Sequence, residues 1–148
     1  MSKLKIDHGE WVVVCDGRKA LILENTGDRL APNLRTAEIR EHSDVSTHEQ
    51  GTDSPGRVHA SFGTARSSVE QTDWHDEAER TFLHGLANHL DAAIRAGKTK
   101  ALIVVAAPRA LGMLRHAYTA PIRGALREEV AKDLVRMPTY EIEKRLFS

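Results

Sequence analysis

Arg57, Arg66, Arg109 and Arg115 are the side chains in this sequence best suited to hold an anion or the phosphates of RNA. A guanidinium keeps its charge at any working pH, and its planar fork matches two phosphate or carboxylate oxygens at once. Arg109 carries the sharpest expectation. It follows ALIVVAAP, Ala101 to Pro108, and so stands past the carboxyl end of an apolar strand and at the start of a helix. Ligands of open α/β sheets bind at that end, and helix starts favour negative charge. Stacking of unpaired bases is not expected, because the chain has only two Trp, two Tyr and three Phe.

The acids and histidines suggest rival chemistry. A two-metal hydrolase or nuclease needs three or four converging carboxylates. Asp16 ends the first apolar run, where such an acid would stand, and Glu70, Asp73 and Asp133 are its conceivable companions. Asp16 is equally well explained by the Asp16-Gly17 turn. Asp73, His75, Asp76 and His59 are metal-ligating types gathered near one junction. No pair of histidines has the i, i+4 helical spacing of a zinc site, and His84 and His89, five apart, diverge on a helix. Helix capping by Asp73 and a solvated His75 is the simpler account, so no metal and no cofactor is expected. Ser67-Ser68 lacks a nucleophile elbow, and Gly51, Gly56 and Gly63 form no phosphate cradle.

The chain has 148 residues, enough for one domain burying about two-thirds of its extended surface. A hydrophobic share of 41% and a charged share of 28% are ordinary for a water-soluble protein. No apolar run approaches the ~18 residues of a membrane helix, and Trp11 to Cys15 is too short for a secretory signal. The lone Cys15 excludes an internal disulfide and fits a reducing cytoplasm, where an inert packed thiol is expected. Net charge is zero but uneven: residues 1–97 hold 11 Lys/Arg against 16 Asp/Glu, and residues 98–148 hold 10 against 5. A basic C-terminal part suits phosphate backbones, although solvated helix faces produce the same count.

Several elements are legible. Trp11 to Asp16 and Lys19 to Asn25 are β-branched-rich runs joined by Asp16-Gly17-Arg18, a hairpin signal whose glycine is expected at positive φ. Leu34 to Glu41 reads as a more polar edge strand. Residues 43–72 read as a long, mobile polar loop with an extended piece at Arg57 to Phe62, because that composition offers little to offset ordering entropy. A helix capped at Thr72 or Asp73 runs to Ala96 and stops at Gly97. Its apolar stripe is Phe82, Leu83, Leu86, Ala87, Leu90 and Ile94, and its wet face includes Arg80, His84 and Arg95. Ala101 to Ala107 is a strand covered on both faces. Helices follow at Arg109 to His116 and Ala120 to Lys132, then a strand at Leu134 to Met137 and a helix at Tyr140 to Phe147. The order implies an α/β fold with a single mixed sheet, antiparallel first and parallel later.

The opening WVVVCDGRKALIL, the polar stretch Pro55 to His75, ALIVVAAPRALGMLR and the KDL of Lys132 to Leu134 resemble the bacterial family of proteins required for attachment to host cells. The resemblance spans most of the chain. ERTFLHGLANHL, Glu79 to Leu90, and LIVVAAPRALGML, Leu102 to Leu114, also resemble the middle domain of eukaryotic and archaeal release factors and of Pelota. That likeness implies a ribonuclease-H-like sheet and an RNA or ribosome partner. In release factors a loop before the long helix presents Gly-Gly-Gln to place a hydrolytic water. Here Thr64-Ala65-Arg66 occupies the corresponding stretch, and the chain contains no Gly-Gly-Gln. The expectation is therefore a cytoplasmic, non-catalytic binding protein. A metal-dependent hydrolase or nuclease using Asp16, Glu70 and Asp73 is the alternative.

Overall fold

The computed structural model describes residues 4–42 and 56–147, with side chains from 4–42 and 74–147. Its elements are β1 (Trp11–Cys15), β2 (Lys19–Asn25), β3 (Leu34–Glu41), α1 (Gly56–Arg95), β4 (Leu102–Ala106), α2 (Pro108–Arg115), α3 (Ala120–Ala125), β5 (Leu126–Val130) and α4 (Thr139–Phe147). The strands form one mixed sheet in the order β3-β2-β1-β4-β5. β1 pairs antiparallel with β2, and β2 with β3. β4 runs parallel to both β1 and β5.

The two central strands are apolar throughout because each face of the sheet is covered. Val13, Val104 and Ile22 point to one side, where Leu83, Leu86 and Leu90 of α1, Leu111 and Leu114 of α2, and Ile122 of α3 pack. Val12, Val14, Ile103 and Val105 point to the other, against Leu134, Val135, and Ile142 and Leu146 of α4. Burying each such side chain contributes about 1.5–3 kcal/mol relative to leaving it in water. The α1 stripe is therefore what presses that helix onto the sheet. Gly97 ends α1 at φ +78°, with Lys98 N–H donating to the Ala93 carbonyl and Gly97 N–H to that of Ile94. This is the left-handed stop that glycine supplies.

Three local expectations are corrected. α1 begins at Gly56, so the backbone of residues 56–72 is helical where the sequence suggested a polar loop, and no cap exists at Thr72 or Asp73. No proline stands between Pro55 and Pro108, and isolated Gly, Ser and Thr cost a helix only up to about 1 kcal/mol each. Residues 43–55, the rest of that loop, lie outside the described residues. Helix α3 is short, and Leu126–Val130 is a strand. Leu126 packs on one core and Val130 on the other, across a register shift opposite Leu102-Ile103. Their i, i+4 spacing imitated a helix stripe, and pairing with β4 decided otherwise. Leu134 to Met137 is a turn closed by Met137 N–H on the Leu134 carbonyl at 3.1 Å, not a strand.

At the amino ends of the parallel strands, Glu10 is fully buried and receives Arg127 at 2.8 and 2.7 Å and the Asp7 amide at 3.0 Å. Asp7 in turn binds Arg29 at 2.7 Å, whose guanidinium holds its carboxyl below the ordinary range. This network ties β5 to the segment before β1.

Val104 has no exposed surface and sits mid-strand between β1 and β5. Val104→Asp would bury an unpaired charge there and is expected to cost more than about 4 kcal/mol, unfolding much of the protein. Urea denaturation followed by circular dichroism checks this; a melting profile like that of the wild type would contradict the two-faced core.

Candidate functional site

The carboxyl ends of β1 and β4 converge on three segments: the turn Asp16-Gly17-Arg18, the link Ala107-Pro108 into α2, and the stretch of α1 from Trp74 to His84. Asp16 holds the turn together, since its Oδ1 accepts from the Arg18 and Lys19 amides, each at 2.8 Å. Gly17 is not at positive φ; among the described glycines only Gly9 and Gly97 are. Its reason is contact. A Cβ there would lie 2.6 Å from Cγ and 2.9 Å from Cβ of Glu79, so any larger residue would displace that side chain of α1.

Glu79 then accepts Arg109 Nη1 at 2.9 Å, and Asp76 accepts Arg109 Nη2 in a close ion pair. Arg109 thus bridges the start of α2 to α1, with two carboxylates offsetting its one charge. Arg115, at the other end of α2, binds Glu129 of β5 at 2.6 and 3.0 Å, and the Tyr118 hydroxyl donates to the same carboxylate at 2.7 Å. The Arg115 hydrogen bond is the main cause holding the Glu129 carboxyl below its usual range. Burial, then the bond to Glu129, raises the Tyr118 hydroxyl far above an ordinary phenol. The structure therefore places Arg109 and Arg115 in separate ion pairs. Arg57 and Arg66 fall in the part of α1 whose side chains lie outside the described residues.

The candidate acids are not brought together either. Asp16 is engaged by the turn, Asp133 is exposed past β5, and Glu70 and Asp73 lie outside the described side chains. Among the described residues no group of three or more His, Cys, Asp or Glu is disposed to hold a metal ion. His75 and Asp76 diverge: His75 packs with Trp74, ring centroids 5.6 Å apart, while Asp76 turns to Arg109. His59 lies outside the described side chains. His84 and His89 also diverge, as their spacing implies, His89 reaching Glu38 of β3 at 2.8 Å. Cys15 is buried, and desolvation first, then the Asp16 charge, pushes its thiol up to about 12, which leaves it unreactive.

Two recesses flank α1. One of about 330 Å³ is lined by Gly17, Arg18, His42, Trp74 and His75. The other, about 660 Å³, lies between α1 and α2 and is lined by Arg80, His84, Arg109, Gly112, Met113 and His116, with Asp76 at its edge. Sequence reasoning assigned Arg80 and His84 to a wet helix face, and their i, i+4 spacing was the available signal. What it could not supply is the facing wall from α2.

Residues 11–146 match the model of the family described as proteins required for attachment to host cells. The chain belongs to that family. An uncharacterized protein of Rickettsia prowazekii (strain Madrid E) is 25% identical over 142 residues, covering 93% of this chain and 91% of the relative. Among the described residues, no helix is long and apolar enough to cross a membrane. The family description names a cellular outcome and leaves the chemistry to the site.

The close docking at Gly17 has a measurable signature. Gly17→Ala is expected to cost about 1–3 kcal/mol by overpacking against Glu79. Glu79→Ala in the same chain should recover part of that loss, so the two changes are non-additive. Denaturant melts of the two single variants and the double variant check it; strict additivity would mean that the turn and α1 do not touch.

Proposed function

We propose that this member of the host-attachment family is a non-catalytic cytoplasmic binding protein whose partner is RNA, free or within the translation apparatus. The observation that carries the reading is the strand order β3-β2-β1-β4-β5 with, among the described residues, the long helix α1 between β3 and β4. It supports the resemblance to release-factor middle domains, in which a long amphipathic helix precedes a buried strand. β4 ends at Ala106 and Ala107-Pro108 follows, as the strand of that resemblance ends near Gly-Pro. The net positive charge of residues 98–148 adds an attraction for phosphate.

Peptide release is outside this reading. Gly-Gly-Gln supplies a flexible backbone and an amide to place a water, and Thr64-Ala65-Arg66 puts a β-branched residue and a cation in that stretch. A hydrolase built on Asp16 gains no support from a carboxylate that is already committed to two backbone amides. The attachment phenotype is then an indirect outcome of an intracellular role.

Filter binding of single-stranded RNA across a salt series tests the reading. The wild type is expected to bind at low salt. Changing Arg57, Arg66 and Arg109 to Ala should flatten the slope of log affinity against log salt, by about one unit for every phosphate that its arginine no longer meets. No hydrolysis is expected of peptidyl-tRNA on ribosomes supplied with the protein. Absence of RNA affinity at low salt would overturn the proposal, and release of peptide would overturn its non-catalytic part.

A further inference from the structure

Among the described residues, the α1–α2 cleft gathers three unpartnered donors at the carboxyl end of the sheet. Arg80 and His84, four apart, line it from one face of α1, and His116, the C-terminal cap residue of α2, lines it from the facing wall. None of these three side chains has a hydrogen bond or ion pair among the described residues, whereas the neighbouring Arg109 is matched by Asp76 and Glu79. With Asp76 so engaged, Arg80 is left without a counter-ion among those residues. The two imidazoles add ring N–H groups that any tautomer can offer to an oxygen acceptor.

We propose that this cleft binds a phosphate group, held by Arg80, His84 and His116, and that the phosphate belongs to the backbone of the RNA invoked above. A tetrahedral oxyanion with several acceptor oxygens can take a guanidinium fork and two imidazole donors together, which a single carboxylate satisfies less completely. The volume, about 660 Å³, falls in the range of small-ligand sites and far exceeds one phosphate. Beside the ion-paired Asp76 and Arg109, the wall also carries Pro108, Met113 and Ala117, an apolar surface for a sugar or base face next to the charged end. Gly112 opens the floor, since a Cβ built there would meet nothing within 4 Å. This inference rests on the RNA-binding reading for the source of the phosphate, while the site itself is testable without RNA.

Gly112→Leu gives a direct block. It replaces a glycine at ordinary φ in a helix interior, so the fold is retained, and it fills the cleft. Two probes are used on the full chain: inorganic phosphate, followed through the ring resonances of His84 and His116 by NMR, and a short single-stranded RNA in filter binding. Phosphate is expected to shift both histidines in the wild type and neither in Gly112→Leu. Arg80→Gln, His84→Gln and Gly112→Leu should each weaken RNA binding at least about tenfold, a change typical of removing one charged interaction. Arg123→Gln, an exposed charge on α3, should weaken it far less. Lack of any phosphate-dependent shift at His84 and His116 overturns the site. Undiminished RNA binding by Arg80→Gln and Gly112→Leu overturns the cleft as the place where RNA binds and leaves the RNA reading standing. Histidine shifts with phosphate but no wild-type RNA affinity would do the reverse, removing RNA and keeping a site for a free phosphate or a small phosphorylated compound.

Discussion

The approach of α1 to the β1–β2 turn sets the geometry on which the functional end of the molecule depends. Gly17 is buried against Glu79, and a methyl group there would force the Glu79 side chain to move. Glu79 is also one of the two carboxylates that hold Arg109, so the steric contact with the turn and the ion pair to α2 share one side chain. Through Arg109 the start of α2 is fixed relative to α1. The separation of the two helices, and hence the width of the cleft between them, follows from that pair of contacts. The apolar stripe of Leu83, Leu86 and Leu90 supplies the driving force, but a hydrophobic stripe alone tolerates sliding. The turn and the ion pair remove that freedom.

The distribution of charge around the cleft is in keeping with the anion binding proposed above. Here Asp16 accepts two amides, Asp76 and Glu79 accept Arg109, and Glu129 accepts both Arg115 and Tyr118. Among the described residues, the side chains left without partners beside the cleft include Arg80, His84 and His116, which are donors. A surface whose acids are committed and whose donors are open favours an anion as its occupant.

Much of the scaffold was legible because its signals are local. Two β-branched runs around Asp16-Gly17 announce a hairpin, an unbroken apolar run announces the covered strand β4, and Gly97 announces the end of α1 through the backbone conformation that glycine alone adopts cheaply. The errors share a cause in contacts between distant residues. β5 exists because Leu126–Val130 pairs with β4 and because Arg127 reaches Glu10, 117 positions earlier, and neither partner is visible in the LREEV sequence itself. The reason for Gly17 was misassigned to backbone freedom when a neighbouring helix is responsible. The upstream extension of α1 was hidden by its Gly, Ser and Thr content, which weakens helix propensity without forbidding the helix. At the site, Arg109 was correctly placed past β4, yet its pairing with Asp76 and Glu79 depends on how α1 and α2 pack. Arg80 and His84 were seen only as a solvated face because the opposing His116 enters from another element.

Ultraviolet crosslinking of bound single-stranded RNA, with the crosslinked peptides mapped by mass spectrometry, tests most directly whether RNA meets this face of the protein. Crosslinks are expected in the α1 peptide spanning Trp74 to His84 and the α2 peptide spanning Arg109 to Ala117, and they should disappear when excess unlabelled RNA is added. Crosslinks confined to α4 or to the β3 edge, on other parts of the fold, would contradict RNA binding at the α1–α2 cleft.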